Sequence, residues 1–246
     1  MVIALFADIH GNREALTACL ADAARRNADR TIFLGDFVGY GADPGWVVDR
    51  VMEHTGRGAL AILGNHDAAV CGANDTMNET ARAAIEWTRG QLSAAQQAFL
   101  RRLPLTVEQD GRLFVHASAD EPSRWHYILH ASDARRSLGA TAAWQTFCGH
   151  VHVPALYHLS LTGKLLEFTP VAGSPIPMLR GRHWLAVIGA VGQPRDRNPA
   201  ACYALLDDVQ NTLTYIRVPY DVETAARKVR AAGLPEVLAA RLERGY

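Results

Sequence analysis

Five short apolar runs in this chain each stop abruptly at a cluster of oxygen and imidazole donors. Val2 to Ala7 runs into Asp8-Ile9-His10, Thr31 to Leu34 into Gly35-Asp36, and Ala59 to Leu63 into Gly64-Asn65-His66-Asp67. Leu113 to Val115 then ends at His116, and Thr146 to Cys148 at Gly149-His150-Val151-His152. Continuous apolar runs of this length form strands buried on both faces. Polar residues at the carboxyl end of such a strand lie at the edge of an open α/β sheet where ligands bind. Taken alone, the third cluster reads more readily as a strand-to-helix turn, because Gly-Asn is common in turns and Asn or Asp caps helices. Recurrence at five places makes a shared site the better reading.

The residues between these runs alternate helix and strand. Asn12 can cap a helix whose Leu16, Cys19, Leu20, Ala23 and Ala24 fall at helical spacing, with Arg25 and Arg26 towards water near its end. Gly39-Tyr40-Gly41 punctuates a loop that lets backbone approach a ligand closely. Asp43 is expected to cap, and Pro44 to open, a helix carrying Trp46, Val47, Val51 and Met52. This is βαβαβ, which predicts a parallel sheet with right-handed crossovers. Two cover helices follow, one with Ala81, Ala84, Ile85 and Thr88, the other opened by the capping box Ser93-x-x-Gln96 and closed at Pro104. Asp110-Gly111 marks a hairpin turn. Residues 120–130 hold Arg124, Trp125, His126 and Tyr127 without a period, and read as a loop near the site, with a solvated surface loop an equal alternative. Strand-like runs at 155–159, 164–168, 184–189, 201–206 and 212–218 suggest a second, largely antiparallel sheet. A helix over 221–232 stops at Gly233, and a last helix after Pro235 is expected to pack across the outside.

At 246 residues without a linker, the expectation is one domain spanning 1–246. A hydrophobic content of 49% with 20% charged residues suits a folded globular chain and argues against disorder. Lys and Arg number 25 against 25 Asp and Glu, with no basic run, so binding to nucleic acid by phosphate neutralisation has little support. Cys19, Cys71, Cys148 and Cys202 are far apart and read as reduced thiols of a cytoplasmic protein. The first apolar run lacks a basic flank and a cleavage signature, so it is a strand rather than a signal peptide, and no segment is long enough to span a membrane.

Asp8, His10, Asp36, Asn65, His116, His150 and His152 are therefore seven donors on five strand ends, which one sheet would gather. Charged groups at one buried edge must be paired or coordinate metal. Mixed imidazole and oxygen donors without thiolate suit Mn, Fe, Zn or Ni. Seven donors exceed a single site, and two divalent ions sharing one carboxylate use them economically.

The ordered blocks Asp8-Ile9-His10, Gly35-Asp36, Gly64-Asn65-His66-Asp67, His116 and Gly149-His150-Val151-His152 resemble those of the calcineurin-like metallophosphoesterases, over roughly the first two thirds of the chain. The resemblance implies an α/β fold of two mixed β-sheets packed face to face and flanked by helices. It also implies one metal on Asp8, His10, Asp36 and His152, and another on Asp36, Asn65, His116 and His150, with manganese the foremost ion. Such a pair, about 3.5–4 Å apart, would lower the pKa of a bridging water towards ~7 for attack on phosphorus. His66 would then protonate or hydrogen-bond the leaving oxygen, with Asp67 fixing its tautomer. Arg13 and Arg195 are weaker candidates for phosphate contact, surface arginines being the default. The Ser/Thr protein phosphatase branch places an arginine in the loop where this chain has Gly39-Tyr40-Gly41. That departure makes a small phosphodiester the expected substrate. A monoester or dinucleoside polyphosphate comes second, and a metal-holding scaffold without catalysis is the alternative from another class.

Overall fold

In a computed structural model the structure describes residues 1–72 and 77–246. The chain opens with β1 (Val2–Phe6), α1 (Arg13–Arg25), β2 (Arg30–Phe33), α2 (Pro44–Gly56) and the two-residue β3 (Leu60–Ala61). Three helices follow, α3 (Asn65–Val70), α4 (Glu79–Gln91) and α5 (Ala94–Arg101), and then the hairpin β4 (Thr106–Gln109) and β5 (Arg112–Val115). After a 3-10 turn at Pro122–Arg124 come α6 (Ala131–Gly139), β6 (Gln145–Cys148), β7 (Ala155–Ser160), β8 (Leu165–Phe168), β9 (Ile176–Pro177) and β10 (Arg182–Val187). The chain closes with β11 (Ala201–Asp207), β12 (Thr212–Val218), α7 (Val222–Ala231) and α8 (Glu236–Arg244). No helix among the described residues is long and apolar enough to cross a membrane.

Two six-stranded sheets pack face to face, one ordered β3-β2-β1-β11-β12-β9 and the other β4-β5-β6-β10-β7-β8. Strand alternation explains the layers. Ile3, Leu5 and Ala7 of the first run, with Ile32 and Leu34 of the second and Tyr215 of their own sheet, face the opposite sheet and cluster with its Phe114, Phe147 and Trp184. The intervening Ala4, Phe6 and Phe33 point the other way, onto Leu16 and Cys19 of α1 and Val47 and Val51 of α2. On the far side, Leu113, Val115, Cys148 and Val187 pack against Ala134 and Leu138 of α6. Every strand at the centre is thus apolar on both faces, as its continuous run of apolar residues requires.

The βαβαβ opening is parallel as expected: β1 pairs with β2 and β2 with β3. Two expectations are corrected. The later strands do not make a sheet of their own: β11 and β12 extend the first sheet beside β1, antiparallel, whereas β10 lies between β6 and β7 in the other. The five donor-bearing ends consequently belong to two sheets, β1, β2 and β3 in one and β5 and β6 in the other. Asp43 also fails to cap α2 with its side chain, because its carboxylate accepts from Lys228 on α7. By contrast, Asn12 caps α1 through Ala15 N, and Ser93 and Gln96 form the expected capping box.

Candidate metal centre

The donor blocks after β1, β2 and β6 bend sharply while Asn65 opens α3, and the backbone conformation is the first sign of a constrained site. Asp8, His10, Asp36, Tyr40, His150 and His152 all have positive φ, between 50° and 68°. Residues with side chains adopt this region rarely, and they hold it only where surrounding structure over-determines it. Here the turns interlock: Ile9 N and His10 N both donate to the Asp36 carbonyl, and Gly41 N donates to that of His10. Gly64 and Gly149 let the loops come this close, since a Cβ on Gly64 would strike Asp36 and one on Gly149 would strike the Asp8 carboxylate.

The result is three overlapping buried groups, each with donor atoms within 4.8 Å of one another: Asp8, His10 and His152; His10, Asp36 and His66; Asp36, His116 and His150. Asp8 Oδ1 lies 3.5 Å from His152 Nε2 and 4.0 Å from His10 Nε2. Asp36 Oδ2 lies 3.7 Å from His10 Nε2 and 3.3 Å from His116 Nε2, and so faces imidazoles of two different groups. Asn65 Oδ1 sits 3.2 Å from His116 Nε2.

Backbone carbonyls fix the rings. His10 Nδ1 is 3.0 Å from Val38 O, His116 Nδ1 2.7 Å from Leu34 O, and His152 Nδ1 2.6 Å from Gln193 O. A carbonyl only accepts, so in each ring Nδ1 carries a hydrogen and Nε2 turns inward, the orientation of metal-ligating histidines. His150 Nε2 is buried without a hydrogen-bond partner among the described residues. The electrostatics agree. Burial pushes the Asp8 carboxyl up to about 7, opposed by His116 and reinforced by Asp36. Burial likewise disfavours a charged Asp36, but the charges of His116 and His66 outweigh it and hold that carboxyl well below the usual range. His116 is raised to about 9 against its own burial by the Asp36 and Asp8 carboxylates. Burial holds His10 and His152 well below the ordinary imidazole value, His66 at about 4 and His150 at about 3. Four neutral imidazoles and a protonated His116 around two carboxylates fit divalent cations, which would take the place of the proton on His116 and satisfy His150 Nε2.

A family model described as the calcineurin-like phosphoesterase superfamily domain matches residues 1–211. The chain belongs to this superfamily. It is 34% identical over 248 residues to an uncharacterized protein of Methanocaldococcus jannaschii, covering 98% of this chain and 97% of the relative. The crystal structure of a metallophosphoesterase from Sphaerobacter thermophilus is 35% identical, with a TM-score of 0.88 over 100% of this chain and 99% of that one. A hypothetical protein from Pyrococcus horikoshii OT3, 19% identical, shares the fold with a TM-score of 0.81 over 100% and 98% of the two chains. As a calcineurin-like phosphoesterase, the chain is of a hydrolase type acting on phosphate esters.

Within this phosphoesterase fold, the seven expected donors and His66 converge, and Tyr40 joins them, its ring centroid 4.6 Å from that of His10 and 4.5 Å from that of His66. Arg195 comes too: its guanidinium lies 5.7 Å over the Tyr40 ring and donates to Gln193 Oε1, while Nε has no partner among the described residues. Arg13 does not. It is exposed and stacks over Trp46 at 5.1 Å, held there by attraction to the ring face. Asp67 is corrected as well, because its carboxylate accepts from Phe37 N, Val38 N and Gly64 N and leaves His66 Nδ1 unpartnered. It fixes the loop after β2 rather than the imidazole. Burial, reinforced by Asp36, raises its pKa to about 8. The carbonyls of Leu34, Val38 and Gln193 left no signal in the sequence, since any residue type supplies one. Trp125 and Tyr127 did leave one, the aromatic density of the aperiodic 120–130 stretch: Tyr127 stacks on His150 at 4.0 Å and Trp125 meets His116 edge-on at 5.9 Å.

Proposed function

We propose that this protein is a phosphoesterase that works with two divalent metal ions bridged by Asp36 and prefers phosphodiesters. The supporting observation is the position of Asp36 Oδ2, 3.7 Å from His10 Nε2 and 3.3 Å from His116 Nε2. Asp8, His10, Asp36 and His152 would hold one ion, and Asp36, Asn65, His116 and His150 the other. Manganese is the first choice for a set of imidazole, carboxylate and amide donors without thiolate. When bound, such ions lower the pKa of a water and neutralise charge on the phosphoryl oxygens. The four unpaired thiols suit a cytoplasmic setting.

The protein's own groups do the rest. His66 is buried beside His10 and Tyr40, with its unengaged Nδ1 close to Gly39, and its ring also lines the neighbouring cleft, from which it would present a hydrogen to a leaving oxygen. Burial keeps it neutral around pH 7, and negative charge entering with substrate is what would raise its proton affinity. Tyr40 presents a phenol where a guanidinium would grip a dianionic monoester, which favours a singly charged diester. Arg195 over the Tyr40 ring favours the second reading, hydrolysis of a monoester or a dinucleoside polyphosphate.

The test is the kcat/KM of the manganese-loaded protein for bis-nitrophenyl phosphate against nitrophenyl phosphate. Preference for the diester is expected. A clear preference for the monoester refutes the diester reading, and no hydrolysis of either, with two ions bound, leaves a metal-holding scaffold.

A further inference from the structure

Beside the metal centre lies a cleft of about 350 Å³. Asn65, His66 and His150 form its inner wall, and Trp125, His126 and Tyr127 supply a second wall from the 120–130 loop. Small-molecule sites span roughly 300–1,000 Å³, so this one holds a single nucleoside-sized group. The loop is held in an unusual shape to make that wall. Trp125 has φ 55° and Glu121 φ 49°, a conformation that is a marked outlier for a bulky aromatic residue. Tyr127 stacks one face on His150, with ring planes 24° apart, yet remains 49% exposed. A ring pinned on one face and open on the other loses little freedom when something stacks on it, which makes it a pre-organised platform.

We infer that Tyr127 and Trp125 form a subsite for the ester group of the substrate, and that this group carries a flat aromatic ring, an aryl or a nucleobase, which stacks on the open face of Tyr127. This rests on the phosphoesterase reading above. With phosphate held by Asp8, His10, Asp36, Asn65, His116, His150 and His152 through their ions, the substituent would extend into the cleft that His66 and His150 line. Flat rings stack on aromatic side chains whatever their substituents, whereas a sugar or alkyl chain forgoes that contact.

The subsite is tested by equilibrium binding of phosphonates, whose P–C bond phosphate-ester hydrolysis leaves intact, to the manganese-loaded protein by calorimetry. Benzylphosphonate is compared with ethylphosphonate, and an acyclic adenine phosphonate with its counterpart lacking adenine. Loss of a base–aromatic stack spans roughly 5- to 150-fold, so the ring-bearing member of at least one pair should bind on the order of tenfold tighter. A gain in the first pair alone identifies an aryl group, and a gain in the second a nucleobase. Tyr127→Phe should keep the difference, whereas Tyr127→Leu, which still covers His150, should abolish it. Equal affinity within both pairs in the wild type, or a preference that survives Tyr127→Leu, overturns the proposal. Hydrolysis of bis-nitrophenyl phosphate and of nitrophenyl phosphate is followed in parallel. Turnover without ring preference refutes the subsite alone, and ring preference without turnover refutes the enzyme reading alone.

Discussion

An imidazole binds metal through whichever nitrogen lacks a hydrogen, and in this protein the backbone makes that choice. Val38, Leu34 and Gln193 carbonyls take the Nδ1 hydrogens of His10, His116 and His152, leaving three Nε2 atoms around two carboxylates. The donors themselves were legible in the sequence, because side-chain type and spacing carry them. The carbonyls were not, since no residue type marks them, and the role first assigned to Asp67 failed for a related reason: three backbone amides claim its oxygens. Among the described residues His66 Nδ1 and His150 Nε2 lack partners, and of the two only His66 is not proposed as a metal ligand, so its proposed leaving-group role makes a graded prediction. A nitrophenolate leaves largely unaided, but an alkoxide needs a proton or hydrogen bond in the transition state. His66→Ala should cost about 10²–10⁴-fold in kcat/KM with an alkyl phosphodiester and much less with a nitrophenyl one, at unchanged metal content. Equal losses with both substrates would remove His66 from the leaving-group role.

Elements were legible where periodicity was strong and obscure where tertiary pairing set their limits. The capped α1 and α5 were expected from Asn12 and from Ser93 with Gln96, whereas β3 is cut to two residues because only Leu60 and Ala61 find partners, opposite Ile32 and Phe33. Asp43 illustrates competition between a local and a distant partner. Lys228 Nζ reaches both Glu14 Oε1 at 2.6 Å and Asp43 Oδ2 at 2.8 Å, so α7 is pinned to the start of α1 and the entry to α2 instead of Asp43 capping its own helix. Burial opposes the lysine's charge, but the bonds to Asp43 and Glu14 outweigh it and raise its pKa above the ordinary 10.5. A pKa raised on folding stabilises fully below the unfolded value and is lost as pH rises through the folded one. Lys228→Met should therefore lower the unfolding free energy measured by urea titration at pH 7 by ~0–1 kcal/mol, the range for a half-open ion pair. The gap to wild type should narrow once pH passes 10.5. A gap that stays constant to high pH would show that the methylene packing, rather than the charge, holds α7.

At the scale of the molecule, the centre lies where two sheets meet. Asp8, His10, Asp36, Asn65 and His66 follow strands of one sheet, and His116, His150 and His152 follow strands of the other. The run pattern alone suggests that the donor blocks meet at one sheet, because central strands of both sheets are apolar on both faces and look alike; the face-to-face pair of sheets comes from the family resemblance and is what the structure has. Which sheet receives β10 or β11 is decided by pairing between distant residues, such as Ala4 with Leu205. Ligands drawn from both sheets mean that bound ions would fasten the two layers together, with stability rising by mass action as metal is added. Asp36 is the residue on which that account turns, since its Oδ2 faces His10 of one group and His116 of the other. The most direct test is the metal stoichiometry of purified, folded Asp36→Asn beside wild type, with phosphodiester turnover measured on the same samples. Two ions per wild-type chain are expected, with loss of metal and of activity together in the variant. Two ions retained with wild-type turnover would contradict it.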